Sequence, residues 1–363
     1  MERLDADVVI VGSGPAGATA ALNLAPFLRV LVVERRGSPS PRIGESLPAA
    51  ARRLLTDMGL WSAFLAEGHA PCYASRSVWG GANVAEADSL RDPDGHGWHL
   101  DRARFEGWLR SVATARGAAL LAPASVGAVE RLGEGWLLTL NRGGRPLLAQ
   151  ARLLIDAGGR ASPLARRCGA ARHRRDKLVC GWLYGRTQRQ TGGMTFITAE
   201  PGGWWYTAPL PGDRRVLAFH TDADLPEAAD AKNAAALLTR AAGQAELQAV
   251  LTEAGFVADG IAGFCPAHSS ELSPVVGDGW LAAGDAALGF DPLSSQGLFN
   301  ALYTGIAAAE AGYRHLHGDG DAIPGYAADL SRIHAAYLNH LRAWYGQERR
   351  WPNVPFWQRR LLD

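Results

Sequence analysis

The chain has 363 residues, enough for about two domains, and at 47% apolar and 20% charged it is neither disordered, collagen-like nor coiled-coil. Thirty-seven basic side chains face 36 acidic ones, so a net charge of +1 leaves no excess of positive charge to drive nucleic-acid binding. Cys72, Cys168, Cys180 and Cys265 lack any metal-ligand spacing, and no apolar run reaches the roughly 18 residues of a membrane helix. The expectation is therefore a cytoplasmic protein with reduced thiols, no metal and no membrane contact.

Val8-Val9-Ile10-Val11 is a β-branched run of the kind buried on both faces of a parallel sheet. It enters Gly12-Ser13-Gly14-Pro15-Ala16-Gly17 and then the helical stretch 18–25. In such a turn the glycines permit a tight bend, approach of a pyrophosphate and close helix–strand contact, while the helix N-terminus attracts the phosphates. A second strand, 30–33, ends in Glu34, placed to accept ribose hydroxyls, with Arg35 beside it. This βαβ context predicts a dinucleotide site at Gly12, Gly14, Pro15, Ala16, Gly17, Glu34 and Arg35.

Arg42-Ile43-Gly44-Glu45-Ser46-Leu47 follows, leading into a predicted helix over 48–58. Asp101-Arg102 opens another helix. Leu153-Leu154-Ile155-Asp156-Ala157-Gly158-Gly159 reads as a third strand ending in Asp-x-Gly-Gly, and the arginine run 166–175 as a solvated helix face. Strands are expected at 194–197 and 216–220, a turn at Pro211-Gly212-Asp213, and a helical stretch over 231–252. Trp280-Leu281-Ala282-Ala283-Gly284-Asp285 is a further short strand delivering Gly-Asp. It precedes Phe290-Asp291-Pro292-Leu293-Ser294-Ser295-Gln296-Gly297 and helices within 298–343. The tail 351–363, with Trp351, Phe356 and Trp357 among prolines and arginines, is expected to pack back on the body rather than to form a docking patch.

In this order the motifs resemble the FAD-dependent aromatic hydroxylases of the para-hydroxybenzoate hydroxylase fold. That resemblance implies an α/β chain whose Rossmann-like FAD domain (1–75, 98–173 and 272–345) is interrupted by a β-sheet substrate domain (76–97 and 174–271), with a tail over 346–363. It implies FAD contacts from Arg42, Glu45, Ser46, Arg102, Asp156, Gly158, Gly284, Asp285, Pro292, Ser295, Gln296 and Gly297. Gly-Glu-Ser-Leu at 44–47 and Gly203-Trp204-Trp205-Tyr206 are similar to the tryptophan halogenases and their monooxygenase relatives. Halogenases, however, carry a lysine within the stretch that corresponds to 67–79, which here has none, and a glutamate where this chain has Ser294. Lys177 and Lys232 are the chain's two lysines.

The phrasing is most similar to the small flavoprotein monooxygenases that hydroxylate protein- or peptide-borne tryptophan, as in cysteine tryptophylquinone maturation. The implied reaction is transfer of oxygen from a flavin C4a-hydroperoxide to an electron-rich aromatic such as an indole. It uses O2, with NADH, NADPH or a separate flavin reductase as electron source. Trp182, Tyr184, Trp204, Trp205 and Tyr206 are candidates for the aromatic pocket, and His220 and Glu45 for the catalytic acid or base. A halogenase and an isoprenoid double-bond reductase are the alternative enzymes, and a flavin-bearing partner protein the non-enzymatic one.

Overall fold

The computed structural model describes residues 2–90, 92–189 and 192–361; the tail's last two positions, 362 and 363, lie outside the described residues. Val8–Val11 is fully interior, and it forms a six-stranded sheet in the order Val276–Gly277, Trp280–Ala282, Leu153–Asp156, Val8–Val11, Val30–Val33, Ala119–Leu121. All neighbours run parallel except the first hairpin. Apolar residues on consecutive positions suit strands covered on both faces, here by helices Pro15–Leu24, Arg102–Ala115 and Gly297–Leu316. Two glycines permit this packing. A Cβ on Gly17 would lie 1.9 Å from the Gly12 carbonyl oxygen, and Gly12 itself holds φ +99°.

A second sheet has seven strands in the order Val257–Pro266, Leu178–Arg186, Arg214–Asp222, Gly203–Leu210, Met194–Glu200, Ala74–Val78, Ala85–Asp88. One face packs Trp205, Leu217 and Phe219 against helices Ala234–Ala242 and Ala245–Ala254. The other carries Trp182, Tyr184 and Trp204, and is covered from outside by Tyr345, Phe356 and Trp357.

Three expectations are corrected. The helical stretch over 231–252 is broken, because Asn233 turns its side chain onto the N–H groups of Ala235 and Ala236 and starts a new helix there. The arginine run is not a helix face: Ala171–Arg174 is a strand paired with Ser270–Ser273, and Arg172 reaches inward to Ser162, Ser270 and the Ala286 carbonyl. Glu45 precedes a short strand, Ser46–Leu47, paired with Gly97–His99; the helix follows only at Ala51–Asp57. The tail packs inward, as expected. Helix Pro355–Leu361 buries Phe356 and Trp357, the Trp357 indole N–H donates to the Glu200 carbonyl at 2.9 Å, and Arg360 pairs with Asp222 at 2.8 Å. Among the described residues, no helix is long and apolar enough to cross a membrane.

Candidate active site

A cavity of about 730 Å³ runs between the two sheets. Gly12, Gly14, Pro15 and Ala16 line one end, where helix Pro15–Leu24 presents its N-terminus. A Cβ on Gly14 would meet nothing within 4 Å, so this glycine leaves open space on the cavity side. Glu34 lines the same end. Its carboxylate accepts from the Ser13 N–H at 2.9 Å and the Arg36 N–H at 2.9 Å, and these bonds with nearby Arg110 hold its pKa down despite burial. Arg35, Ser46, Gly158, Asp285, Pro292, Ser295 and Gly297 also face the cavity, with Asp285 held 3.3 Å from Arg160.

Arg42, Arg102 and Arg110 all line this cavity, and each has a buried guanidinium nitrogen without a hydrogen-bond partner among the described residues. Buried N–H groups left open beside a helix N-terminus fit an anionic ligand such as a dinucleotide pyrophosphate. Asp156 is placed differently from expectation. Its carboxylate lies off the cavity and accepts from the N–H groups of Gly158, Leu164 and Ala165 at 2.8–2.9 Å, so it shapes the loop rather than meeting a ligand. Gly284 and Gln296 do not line the cavity: the Gly284 N–H donates to Thr304, and Gln296 is exposed just before the first turn of helix Gly297–Leu316.

Glu45 is completely buried and lines the cavity. Arg102 braces its loop by donating to the Gly44 carbonyl at 2.6 Å and pairing with Glu106 at 2.6 Å. Tyr184 is not on the wall but behind it, its hydroxyl 2.7 Å from the Arg42 carbonyl and 2.8 Å from Glu45 Oε1. One hydroxyl proton cannot serve both acceptors. If Tyr184 donates to the carbonyl, a neutral Glu45 supplies the second proton. Burial raises the Glu45 pKa to about 7, so that form is accessible near neutrality.

Strand alternation decides the aromatic wall. Trp182, Trp204, Tyr206 and His220 face the cavity with Ile197, whereas Trp205 points to the opposite face and donates to Glu200 at 2.8 Å. Trp205 is therefore removed from the candidate pocket. His220 stacks on Trp204 with ring centroids 3.6 Å apart and planes 7° off parallel. No hydrogen bond of good geometry reaches either His220 ring nitrogen or the Tyr206 hydroxyl among the described residues, although all three atoms are buried. Burial lowers the His220 pKa to about 3, which keeps the ring neutral.

Sequence reasoning missed Asp291, Cys180 and Cys265 as site residues. Asp291, buried on the wall, accepts from Tyr345 at 2.8 Å, and the Trp204 indole N–H donates to that same tyrosine at 3.2 Å. Its pKa is pushed up to about 7, by burial first. Trp204–Tyr345–Asp291 thus joins the aromatic wall to the loop before helix Gly297–Leu316. Tyr345 is remote in sequence from both partners, so no local pattern announced it. Cys180 and Cys265 sit opposite each other on adjacent strands, and alternation from Trp182 would have placed Cys180 on the wall.

Residues 5–302 match the family model described as "FAD binding domain". LodB of Marinomonas mediterranea, assigned as an FAD-dependent oxidoreductase, is 29% identical over 98% of this chain and 96% of its own length. The myxobacterial chondrochloren halogenase CndH superposes with a TM-score of 0.87 at 25% identity, covering 98% of this chain and 86% of that one. The peptidyl tryptophan dihydroxylase QhpG, described as essential for tryptophylquinone cofactor biogenesis, gives 0.76 at 25% identity, covering 98% and 78%. By likeness alone, the comparisons favour the halogenase alternative over hydroxylation.

Proposed function

The chain belongs to the FAD binding domain family and is an FAD-dependent oxidoreductase; from that premise we propose that it hydroxylates an electron-rich aromatic, an indole carried in a peptide or protein. The observation that carries this reading is an aromatic wall without an amine. Trp182, Trp204, Tyr206 and His220 line the cavity, and no lysine among the described residues does. Lys177 pairs with Asp224, and Lys232 lies over the Phe264 ring. An arginine does not replace a lysine here, since it stays protonated and offers no nucleophilic nitrogen.

Bound flavin would supply activated dioxygen: one oxygen enters a ring C–H bond, the other leaves as water, and a nicotinamide or a separate reductase provides two electrons. The FAD would be held by Gly12–Gly14, Glu34, Arg42, Arg102, Arg110, Asp285 and the start of helix Gly297–Leu316. Trp182 and Trp204 give an indole an aromatic lining, while neutral His220 and the Tyr206 hydroxyl offer acceptors for its N–H. Glu45 holds a proton near neutrality on the cavity wall. The apolar wall keeps water from the reacting carbon. The likeness to QhpG supports the peptide-borne substrate.

Halogenation is the second reading, favoured by the closer superposition on CndH. Flavin-loaded protein with reductant, oxygen and bromide, incubated with free tryptophan and with tryptophan peptides, separates the two by intact mass. A gain of one or two oxygens is expected. Incorporation of bromine would replace the proposal, and unchanged mass throughout would end it.

A further inference from the structure

The strand Val257–Pro266 is the outermost of the seven-stranded sheet and pairs only with Leu178–Arg186 among the described residues. Its register is one-to-one from Pro266 opposite Val179 to Ala262 opposite Leu183, and the Ala267 N–H donates to the Leu178 carbonyl at 2.9 Å. By the alternation of an antiparallel ladder, Cys265 and Gly263 turn their main-chain groups inward, whereas Ala262 and Phe264 turn theirs toward the open edge. Edges are ordinarily blunted by charged side chains, a central proline or a β-bulge. Here the ladder is bulged between Ala258 and Ala262, which leaves 262–266 as the regular stretch of open edge. The strand has no basic residue, a single acid (Asp259, paired with Arg214 at 2.8 Å) and proline only at its end. Val257, Ile261 and Phe264 are exposed.

The same strand is part of the active-site wall. Gly263, Phe264, Cys265 and Pro266 line the main cavity, and Val257, Ala258, Asp259 and Ile261 line a second groove with Arg186 and Arg214 at the other end. Trp182 packs directly on Gly263, where a Cβ would lie 2.6 Å from the indole, so the aromatic wall reaches the edge strand itself. We infer that the edge strand Val257–Pro266 docks the substrate peptide by strand addition and delivers its tryptophan into the cavity. Strands in a sheet lie about 4.8 Å apart, so every second side chain of an added strand stands beside Gly263 and Cys265, on the face that holds Cys180 and Trp182. Continuity of the unpaired edge with the cavity identifies an extended peptide as the occupant. The docking rests on the peptide-borne reading above.

The test uses flavin-loaded full-length protein and a fluorescein-labelled extended peptide of Val and Thr with one central Trp. Two further versions carry backbone N-methyl groups on one or the other alternate set of amides. Strand addition predicts that the parent binds and that one methylated version, not the other, loses about tenfold or more in affinity. Ala262→Pro should weaken the parent similarly at unchanged flavin content, and peptide should slow amide exchange at Phe264. Failure of the parent to bind, equal binding by both methylated versions, or unprotected Phe264 in the complex would each overturn the docking. Register-dependent binding with no oxygen gained would instead retain the docking and reject the hydroxylase reading. Hydroxylation of free tryptophan without peptide binding would do the reverse.

Discussion

Glu45 and His220 share one cavity but titrate in opposite senses, because burial disfavours whichever form is charged. The Glu45 pKa is raised from 4.5 to about 7, so the folded chain holds a proton there that the unfolded chain releases. Its contribution is fully present below pH about 4.5 and lost as pH rises through about 7, a change on the order of 3 kcal/mol. Asp291 adds a loss of the same sign from 3.8 to about 7. Glu45→Gln should therefore flatten the fall in stability between pH 5 and 8, read by urea unfolding at both ends. His220, lowered to about 3, stabilises above its unfolded pKa of 6.5 and loses that contribution only in acid. His220→Asn should cut turnover by about a hundredfold while the rate–pH profile keeps its inflection near 7, which belongs to the carboxyl groups. If that inflection vanishes in the variant, His220 is titrating and the assignment fails.

Among the elements, the nucleotide turn and the sheet strands were the most legible. Val8–Val11 advertised itself through four consecutive apolar residues, and Gly12, Gly14 and Gly17 through their spacing. The three glycines do different work, and this separates two variants. Gly17→Val drives a side chain into the Gly12 carbonyl and should leave little folded protein. A Cβ at Gly14 meets nothing within 4 Å, so Gly14→Val should fold with native circular dichroism yet purify without yellow colour. The aromatic strand Gly203–Leu210 was half legible: its rings Trp204, Trp205 and Tyr206 stand out as pocket candidates, but only strand alternation, which the sequence reading did not apply, sends Trp205 to the helices. Asp156 was read from its place at a strand end. Three backbone N–H groups claim its carboxylate, and no sequence pattern distinguishes that from a ligand contact.

At the scale of the whole molecule, order along the chain was enough to expect a parallel nucleotide sheet joined to a second sheet. The pairing of distant segments was not legible. Trp204, Asp291 and Tyr345 meet through tertiary packing alone, and the tail's role in covering the aromatic wall depends on Trp357 reaching Glu200 and on Arg360 reaching Asp222. Trp357 is fully buried against Tyr345, Trp79 and Phe356. Trp357→Ala should destabilise the protein by about 3–5 kcal/mol, and it should loosen flavin binding if the tail steadies the wall. Thermal unfolding with and without added FAD measures both effects.

The scarcity of lysine equips the chain with its own footprinting pair. Lys232 sits 5.4 Å from the centre of the Phe264 ring, next to the open strand, whereas Lys177 is engaged with Asp224. Mild acylation counted at each amine would compare a reporter beside the edge with an internal reference, so shielding of Lys232 alone would register an arriving guest without any engineered label.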